Sequence, residues 1–474
     1  MDVSSTFVAP ISAALAVAIA TGCGRREELH ACNIDDRTCQ EDVYYAVIRA
    51  RGDGFDPFDG VPPIRNLTKE QYRRELFPER SLPDDTTDPP VRPTIDPWDV
   101  SLQQLGLLRR MVSAEDASGE DFALKVAAFY TWATQTVTVV VDPELCPDDR
   151  NLRWETTLLA HELVHALQDN ESNLTVSDGT VDGDFASSTL IEGEARMYEY
   201  LLGAEIDEVS PQALDWEHQF EIEVDGERAA VAVGTSRFFS VWTYAYPLGS
   251  SVFMQRWLQG GNAAVRDLSR HAPRRSVDYM AAHAGAEVTP APALTCQPAA
   301  PSPAFDLTHL QRLGALQLHA FLMGTEEPPN AAETGESAEP VVDDVGMKTE
   351  HAAAPGTGCG AAAAPPPREP RAEEIAAAAA AKARAEALLA REPDAWRTAL
   401  ECRDDQLFIY FDPDGQSVAL TWRVRFASQA AAERTVAAAN RLPALRAERR
   451  GRDARIVSAD PGLPDWPGAD ECDR

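Results

Sequence analysis

Two histidines and a glutamate stand close together in the segment His161-Glu162-Leu163-Val164-His165. The apolar spacing of residues 152–168 predicts a helix, and on a helix residues i and i+4 share one face. Both imidazoles can therefore bind one metal ion, with Glu162 beside it. Zinc held by neutral imidazole nitrogens keeps a position open for water and lowers the pKa of that water, so Glu162 could act as a general base. The alternative is a pair of surface histidines with a solvated glutamate.

A catalytic zinc ion usually needs a third protein ligand. A histidine six positions after the motif is absent, because position 171 is Glu171. The next predicted helix, residues 186–203, contains Leu190-Ile191-Glu192-Gly193-Glu194-Ala195, which can supply a carboxylate, with Glu192 lying 27 positions after His165. Glu194 is the alternative, although it would face another direction on a helix. For either glutamate the competing interpretation is an exposed surface carboxylate.

Spacing also singles out two residues that could support the metal ligands. Asp169 lies four residues after His165 and could orient its second ring nitrogen, or it is simply a polar residue near the helix end. Arg196, four residues after Glu192, could pair with a carboxylate near the metal or form a surface ion pair. No spacing selects among the remaining candidates, which are His218, His271 and His283.

The segment Glu192-Gly193-Glu194-Ala195 resembles the gluzincins, in which the aminopeptidase N group carries its glutamate ligand in an Asn-Glu-Gly-x-Ala segment. Here Ile191 replaces the asparagine, and the gap after the HExxH motif is longer than in that group. The resemblance implies that Glu192 is the ligand. It also implies a tyrosine downstream that stabilises an oxyanion, for which Tyr246 is the first candidate and Tyr244 the second. The competing interpretation is that these tyrosines belong to an aromatic core.

A closer resemblance is to predicted bacterial zinc-peptidase lipoproteins. The chain shares their His-Glu-x-x-His-Ala-Leu-Gln-Asp block at 161–169 and their Leu-x-Glu-Gly-(Glu/Asp)-Ala segment at 190–195. A Tyr-x-x-Gly helix ending in Gly-Gly matches 246–261, and a late hairpin containing tryptophan resembles 406–426. The likeness spans roughly 100–325 and, more faintly, 371–440. It implies a gluzincin-like fold and hydrolysis of peptide bonds, without naming a substrate.

The start of the chain resembles a bacterial lipoprotein signal. Residues 7–21 are uncharged and apolar, and Cys23 follows small residues. We expect residues 1–23 to direct export and Cys23 to carry a lipid that anchors the protein in the cell envelope, on the periplasmic or cell-surface face. The alternatives are an ordinary cleaved signal and a buried helix. Cys32 and Cys39 close a short loop and are predicted to form a disulfide, whereas the absence of a CxxC pair argues against a thiolate zinc site.

The composition is that of a globular protein with an acidic surface. The 474 residues include 43 Lys and Arg against 76 Asp and Glu, a formal net charge of −33, and 44% are hydrophobic. These values exclude wholesale disorder and argue against binding to nucleic acid or to anionic lipid. No apolar run reaches the length of a membrane-spanning helix. We expect contact with a membrane only through the lipid on Cys23.

The patterns along the chain predict an α+β protein with a zincin-like (gluzincin) catalytic domain at 98–325. An irregular, proline-rich region at 24–97 precedes it, although a capping box at Thr68–Gln71 opens a helix to Leu76. A flexible linker at 326–370 and a helix over 373–389 lead into a small β-β-α-β unit within 371–474. Other predicted elements are a helix at 100–112, strands at 124–132 and 136–141, and a helix at 248–259. We expect strand 136–141 to be the sheet edge along which a peptide pairs.

The hypothesis that unites these patterns is an exported, lipid-anchored zinc metallopeptidase acting on a peptide or protein substrate. Its ligands would be His161, His165 and Glu192, with Glu162 as general base and Tyr246 at the oxyanion. The alternative is a non-catalytic envelope lipoprotein that uses a zinc-bound fold as a binding or structural module. A further alternative is a latent enzyme whose cleft is covered by 326–370. Glu162 favours the enzyme, since a structural zinc site does not need an acid between its ligands.

Overall fold

The computed structural model describes residues 28–52, 60–76, 96–108, 113–114, 127–141, 151–171, 177–233, 236–289, 291–324, 392–414 and 417–458. Over these ranges the chain is a mixed α+β protein, as the sequence predicts. The predicted signal segment 1–23, the linker 326–370 and the helix over 373–389 lie outside the described residues. None of the described helices is both long enough and apolar enough to cross a bilayer.

Helices make up most of the described structure. In chain order they are α1 (Arg37–Arg51), α2 (Lys69–Leu76), α3 (Pro97–Gln104), α4 (Leu152–Glu171), α5 (Val181–Ile206), α6 (Trp216–Val233), α7 (Arg237–Ser240), α8 (Ala245–Arg270), α9 (Ser276–His283), α10 (Gly314–Gly324), α11 (Glu392–Leu400) and α12 (Gln429–Ala439). The capping box is confirmed, because the Thr68 and Gln71 side chains each accept a bond from the other's backbone N–H. Helix α8 is interrupted at Gly260 and Gly261, where the predicted helix 248–259 stops.

The strands form two sheets. They are β1 (Ile64–Thr68), β2 (Ala128–Thr131), β3 (Thr136–Val141), β4 (Asp306–Gln311), β5 (Cys402–Asp412), β6 (Ser417–Phe426), β7 (Leu445–Arg450) and β8 (Asp453–Ser458). The first sheet has the order β1-β3-β2, with β1 parallel and β2 antiparallel to β3. The second is antiparallel, in the order β4-β5-β6-β8-β7.

One large apolar cluster joins the helices to both sheets. It includes Val137 of the first sheet, Leu163 of α4, Leu202 of α5, Phe253 of α8 and Trp422 of the second sheet. The second sheet also takes β4 from the chain that precedes the long segment 325–391. The predicted hairpin and last strand therefore belong to a larger sheet that packs on the helical body, and the predicted helix α12 packs against its last two strands.

Three sequence predictions are wrong in this part of the molecule. Residues 37–51 form α1 rather than irregular chain, and the helix predicted to run to 112 ends at Gln104, before Gly106 adopts a left-handed conformation with φ +67°. Strand β3 is central rather than an edge, because β1 pairs along its other side. Strand β1, whose sequence is Ile-Arg-Asn-Leu-Thr, is short and half polar, so it has little hydrophobic signal.

Two edge strands, β4 and β7, were missed for the same reason. Their sequences, DLTHLQ and LRAERR, carry many polar side chains. Polar and charged residues are common on edge strands because they oppose pairing with another chain. The C-terminal order after α11 is consequently β-β-α-β-β, and β4 adds a fifth strand to its sheet.

Candidate metal centre

Helix α4 carries both histidines and the intervening glutamate into the interior. His161 is 5% exposed, Glu162 5% and His165 6%, although all three are polar. Their neighbours on the helix, including Leu159, Leu163 and Val164, are fully buried, so α4 has almost no solvent face over this stretch. A polar side chain is buried only where other polar groups or an ion satisfy it.

Glu192 of α5 completes a cluster of three donor atoms. The Nε2 atoms of His161 and His165 are 3.0 Å apart, and the Oε2 atom of Glu192 lies 3.2 Å from the first and 3.3 Å from the second. Ligands bound to zinc at about 2.0–2.1 Å in a tetrahedron stand about 3.3 Å from one another. The three atoms therefore have the spacing of one face of such a tetrahedron, and the group could hold a metal ion.

The far ring nitrogen of His161 faces an ionised carboxylate. Its Nδ1 lies 3.1 Å from Oε2 of Glu199, and the other oxygen of Glu199 accepts a 2.6 Å bond from Arg196. Burial opposes ionisation of Glu199, but Arg196 and His161 together outweigh it through their charges and hydrogen bonds, and they lower the pKa of that carboxyl. An ionised carboxylate only accepts hydrogen bonds, so Nδ1 of His161 carries the proton.

The far ring nitrogen of His165 faces an amide whose orientation is settled by its other contacts. Nδ1 of His165 lies 2.9 Å from Oε1 of Gln168, and Nε2 of Gln168 donates to the Ile191 carbonyl and to Oε2 of Glu194, both at 3.1 Å. Because two acceptors face the amide nitrogen, the amide oxygen faces the imidazole. Nδ1 of His165 therefore donates, and Nε2 is free to act as a ligand.

Since each histidine carries its proton on Nδ1, the two Nε2 atoms and the Glu192 oxygen face one another with lone pairs and no hydrogen between them. Such a group is stable around a cation, or around protons added to the rings. In the metal-free protein burial lowers the pKa of His161, but the carboxylates of Glu192 and Glu199 outweigh it and raise the pKa to about 10. Against burial, the two imidazoles lower the pKa of Glu192. The donor set of two imidazoles and one carboxylate fits zinc.

Glu162 lies beside this cluster without joining it. Its Oε2 atom is buried and has no hydrogen-bond partner among the described residues. Burial raises the pKa of Glu162, so this carboxyl takes up a proton more readily than an exposed one. A buried carboxylate with an unused oxygen is suited to exchanging a proton with a water molecule next to it.

Tyr246, in the first turn of α8, covers one side of the cluster. Its ring stacks on that of His161 with centroids 5.9 Å apart, and its hydroxyl interacts electrostatically with the Glu192 carboxylate. The charge of the Glu192 carboxylate raises the pKa of Tyr246, so the phenol keeps its proton although 38% of the residue is exposed. Tyr244, the second candidate, is fully buried and packs against His319 and Trp396 instead.

Close contact between two glycines positions Glu192 and Tyr246 relative to each other. A Cβ on Gly193 of α5 would lie 2.4 Å from the backbone of Gly249 of α8, and one on Gly249 would lie 2.2 Å from the Thr189 carbonyl. The two helices therefore cross at backbone contact, which only glycine permits. Gly193 directly follows Glu192, and Gly249 is one turn after Tyr246, so the crossing brings the two side chains together.

The other predicted candidates have different partners. Glu194 forms a buried ion pair with Arg51 at 3.0 Å and does not join the cluster, and Asp169 accepts from Tyr130 rather than facing His165. Arg196 does pair with a carboxylate next to a ligand, through Glu199. The remaining histidines stand elsewhere: His218 is exposed, His271 is exposed beside Asp267, and His283 faces Ser251.

Sequence reasoning missed Gln168 and Glu199 as supports of the two histidines. Gln168 is three residues after His165, and Glu199 is seven residues after Glu192, so both lie near the ligand face of their own helix. Helical periodicity was the signal that could have found them.

No family model matches the chain, and no curated protein and no solved structure is significantly similar to it. What the centre can do chemically follows from its own geometry.

Proposed function

We propose that the chain is a zinc-dependent peptidase with a zincin-like catalytic domain. The observation that supports this most directly is the convergence of His161, His165 and Glu192 beside Glu162, a buried carboxylate with an unused oxygen. A purely structural zinc site is usually closed by four protein ligands, whereas three ligands and a neighbouring base are typical of a catalytic one.

The residues have distinct roles in this proposal. His161, His165 and Glu192 would hold zinc, which when bound polarises a water molecule and the carbonyl of the scissile bond. Glu162 accepts the proton of the attacking water and returns it to the leaving amine. Tyr246 donates a hydrogen bond to the oxyanion, since its raised pKa keeps the phenol protonated.

A peptide substrate would pair with β2 rather than with the central strand β3. Among the described strands β2 has a free edge, and it packs against α4. The hydroxyl of Tyr130 on β2 donates to Asp169 of α4 at 2.9 Å, which ties this strand to the helix that carries the histidines. An extended chain on this edge would gain backbone hydrogen bonds.

We also propose that the protein works outside the cytoplasm, anchored by a lipid on Cys23. The predicted disulfide between Cys32 and Cys39 is present, with Cα atoms 5.7 Å apart, and structural disulfides persist in oxidising compartments. Mass spectrometry of the mature N-terminus should detect the lipid on Cys23.

The test of the peptidase proposal is Glu162→Gln, assayed on a mixed peptide library by mass spectrometry. The variant should keep its zinc and lose hydrolysis by about 10²- to 10⁴-fold, because only the proton acceptor is removed. Glu155→Gln, a buried glutamate on the same helix, is the matched control and should leave the rate unchanged. Equal activity in wild type and Glu162→Gln would refute the base assignment, and hydrolysis unaffected by a chelator would refute the metal requirement.

A further inference from the structure

We propose that the N-terminal helix α1 is part of the metal centre, with Arg51 acting as a positioning residue for His165 through Glu194 and Gln168. This inference rests on the proposed metal-dependent function and extends it to a segment that lies over a hundred residues before the HExxH motif.

The four side chains form a continuous buried chain of contacts. Nη1 of Arg51 lies 3.0 Å from Oε1 of Glu194, whose Oε2 accepts from Gln168 at 3.1 Å, and Oε1 of Gln168 lies 2.9 Å from Nδ1 of His165. Arg51 is 3% exposed and Glu194 8%, so water does not replace these contacts.

The chain of contacts determines which ring nitrogen of His165 carries the proton. Arg51 holds Oε1 of Glu194, which leaves Oε2 facing Gln168, where it accepts from the amide nitrogen. The amide oxygen then faces Nδ1 of His165, which must donate. The lone pair of His165 is thereby held on Nε2, the atom that faces the metal position.

Arg51 is itself held in place from both ends. The carbonyls of Ala50 and Arg51 accept hydrogen bonds from Asn262 at 2.8 Å and Arg266 at 3.2 Å, so α8 fixes the end of α1. The guanidinium lies over the ring of Tyr198, 5.7 Å from its centroid, and the Tyr198 hydroxyl donates to Asn262. Such a fixed end is what a residue needs if it is to orient another group.

Stability alone does not account for this ion pair. A buried pair of charges often contributes no more to folding than apolar residues of the same size, because both ions lose their water. The pair instead stands two contacts from a metal ligand, where the orientation of an amide decides which ring nitrogen is available. Without Arg51, the Glu194 carboxylate loses the contact at Oε1 that holds its Oε2 against the Gln168 amide nitrogen.

The test measures zinc affinity of the metal-free full chain by competition with a chromophoric chelator. Arg51→Met should weaken zinc binding by about 10- to 100-fold, the usual effect of losing a residue that supports a ligand. Arg51→Lys, which keeps the charge, should recover most of the affinity. Glu194→Gln is isosteric and serves if Arg51→Met does not fold; it should show a loss of the same order.

A double-mutant cycle separates positioning from general destabilisation. If Arg51 acts through Gln168, Arg51→Met should change zinc affinity by less than about threefold in a Gln168→Ala background. The visible spectrum of the cobalt-substituted protein should shift in Arg51→Met and recover in Arg51→Lys. An equal loss of affinity in both backgrounds, or unchanged affinity in Arg51→Met and Glu194→Gln, would overturn the inference.

Asp405→Asn, which alters a buried carboxylate outside the metal centre, is the control for general destabilisation. Asp405 accepts from Leu313, Gly314 and Trp422 in the second sheet region, so its loss should lower the melting temperature without weakening zinc binding. Because this test measures zinc affinity, its outcome does not depend on hydrolysis. Loss of peptidase activity in Glu162→Gln would leave zinc affinity unchanged and so would not be mistaken for the effect of Arg51→Met.

Discussion

At the scale of single residues, the protonation of His161 and His165 controls metal binding. In the metal-free centre the pKa of His161 is raised to about 10, and that of His165 is raised as well, by the carboxylates around them. Below these values the rings carry protons on the atoms that would bind the metal. Zinc and protons therefore compete for the same lone pairs.

Zinc affinity should accordingly rise with pH, by about tenfold per pH unit for each proton displaced. The stability of the zinc-bound protein should rise with pH, as zinc affinity does, whereas the contribution of His161 to the stability of the metal-free protein should fall. The raised pKa of His161 stabilises the metal-free fold fully below the unfolded value of 6.5, and this contribution is lost as pH rises through about 10. Chelator competition between about pH 6 and pH 9 measures the affinity. An affinity independent of pH would contradict the proton arrangement.

Helices α5 and α8 fix the geometry of the centre at the scale of elements. Their crossing at Gly193 and Gly249 places the candidate ligand Glu192 and the phenol of Tyr246, from two different helices, close enough to interact electrostatically. The contact is between backbones, so no side chain can adjust to relieve it. A larger residue must separate the helices.

Gly193→Ala should therefore destabilise the fold and weaken zinc binding together. The new Cβ would lie 2.4 Å from the Gly249 backbone, and overpacking of this kind costs about 1–3 kcal/mol or more. Gly226→Ala in α6 is the matched control, because a Cβ there meets no atom within 4 Å; it should be neutral or stabilising by up to about 1 kcal/mol. Denaturant unfolding measures both, and wild-type stability in Gly193→Ala would contradict the close crossing.

The elements also show which parts of the fold the sequence could predict. Helix α4 and strand β3 have strong periodic or β-branched patterns and were predicted to within a few residues. Strands β1, β4 and β7 were not, because edge strands with polar side chains lack that pattern. The candidate ligands could be named because i, i+4 spacing is local, whereas the contact between Arg51 and Glu194 joins distant parts of the chain, and no local pattern encodes it.

Metal binding should stabilise the molecule as a whole, since the ligands come from two helices that both pack into the large apolar cluster. At a free zinc concentration 100 times the dissociation constant, the gain is about 2.7 kcal/mol. Thermal unfolding with zinc and after chelation should show this shift. Glu192→Gln should abolish the shift while the metal-free protein still unfolds cooperatively, and a shift that persists in this variant would mean that Glu192 is not a ligand.

The second sheet determines how the chain's two halves are connected. Strand β4 and helix α10 lie before the segment 325–391, and strand β5 and helix α11 lie after it, yet β4 pairs with β5 and α10 packs on α11. The ring of His319 on α10 stands 5.3 Å from that of Trp396 on α11. Peptide-bond cleavage anywhere between Gly324 and Glu392 would therefore yield a nicked, two-chain protein whose fragments remain associated through a shared sheet and a shared core.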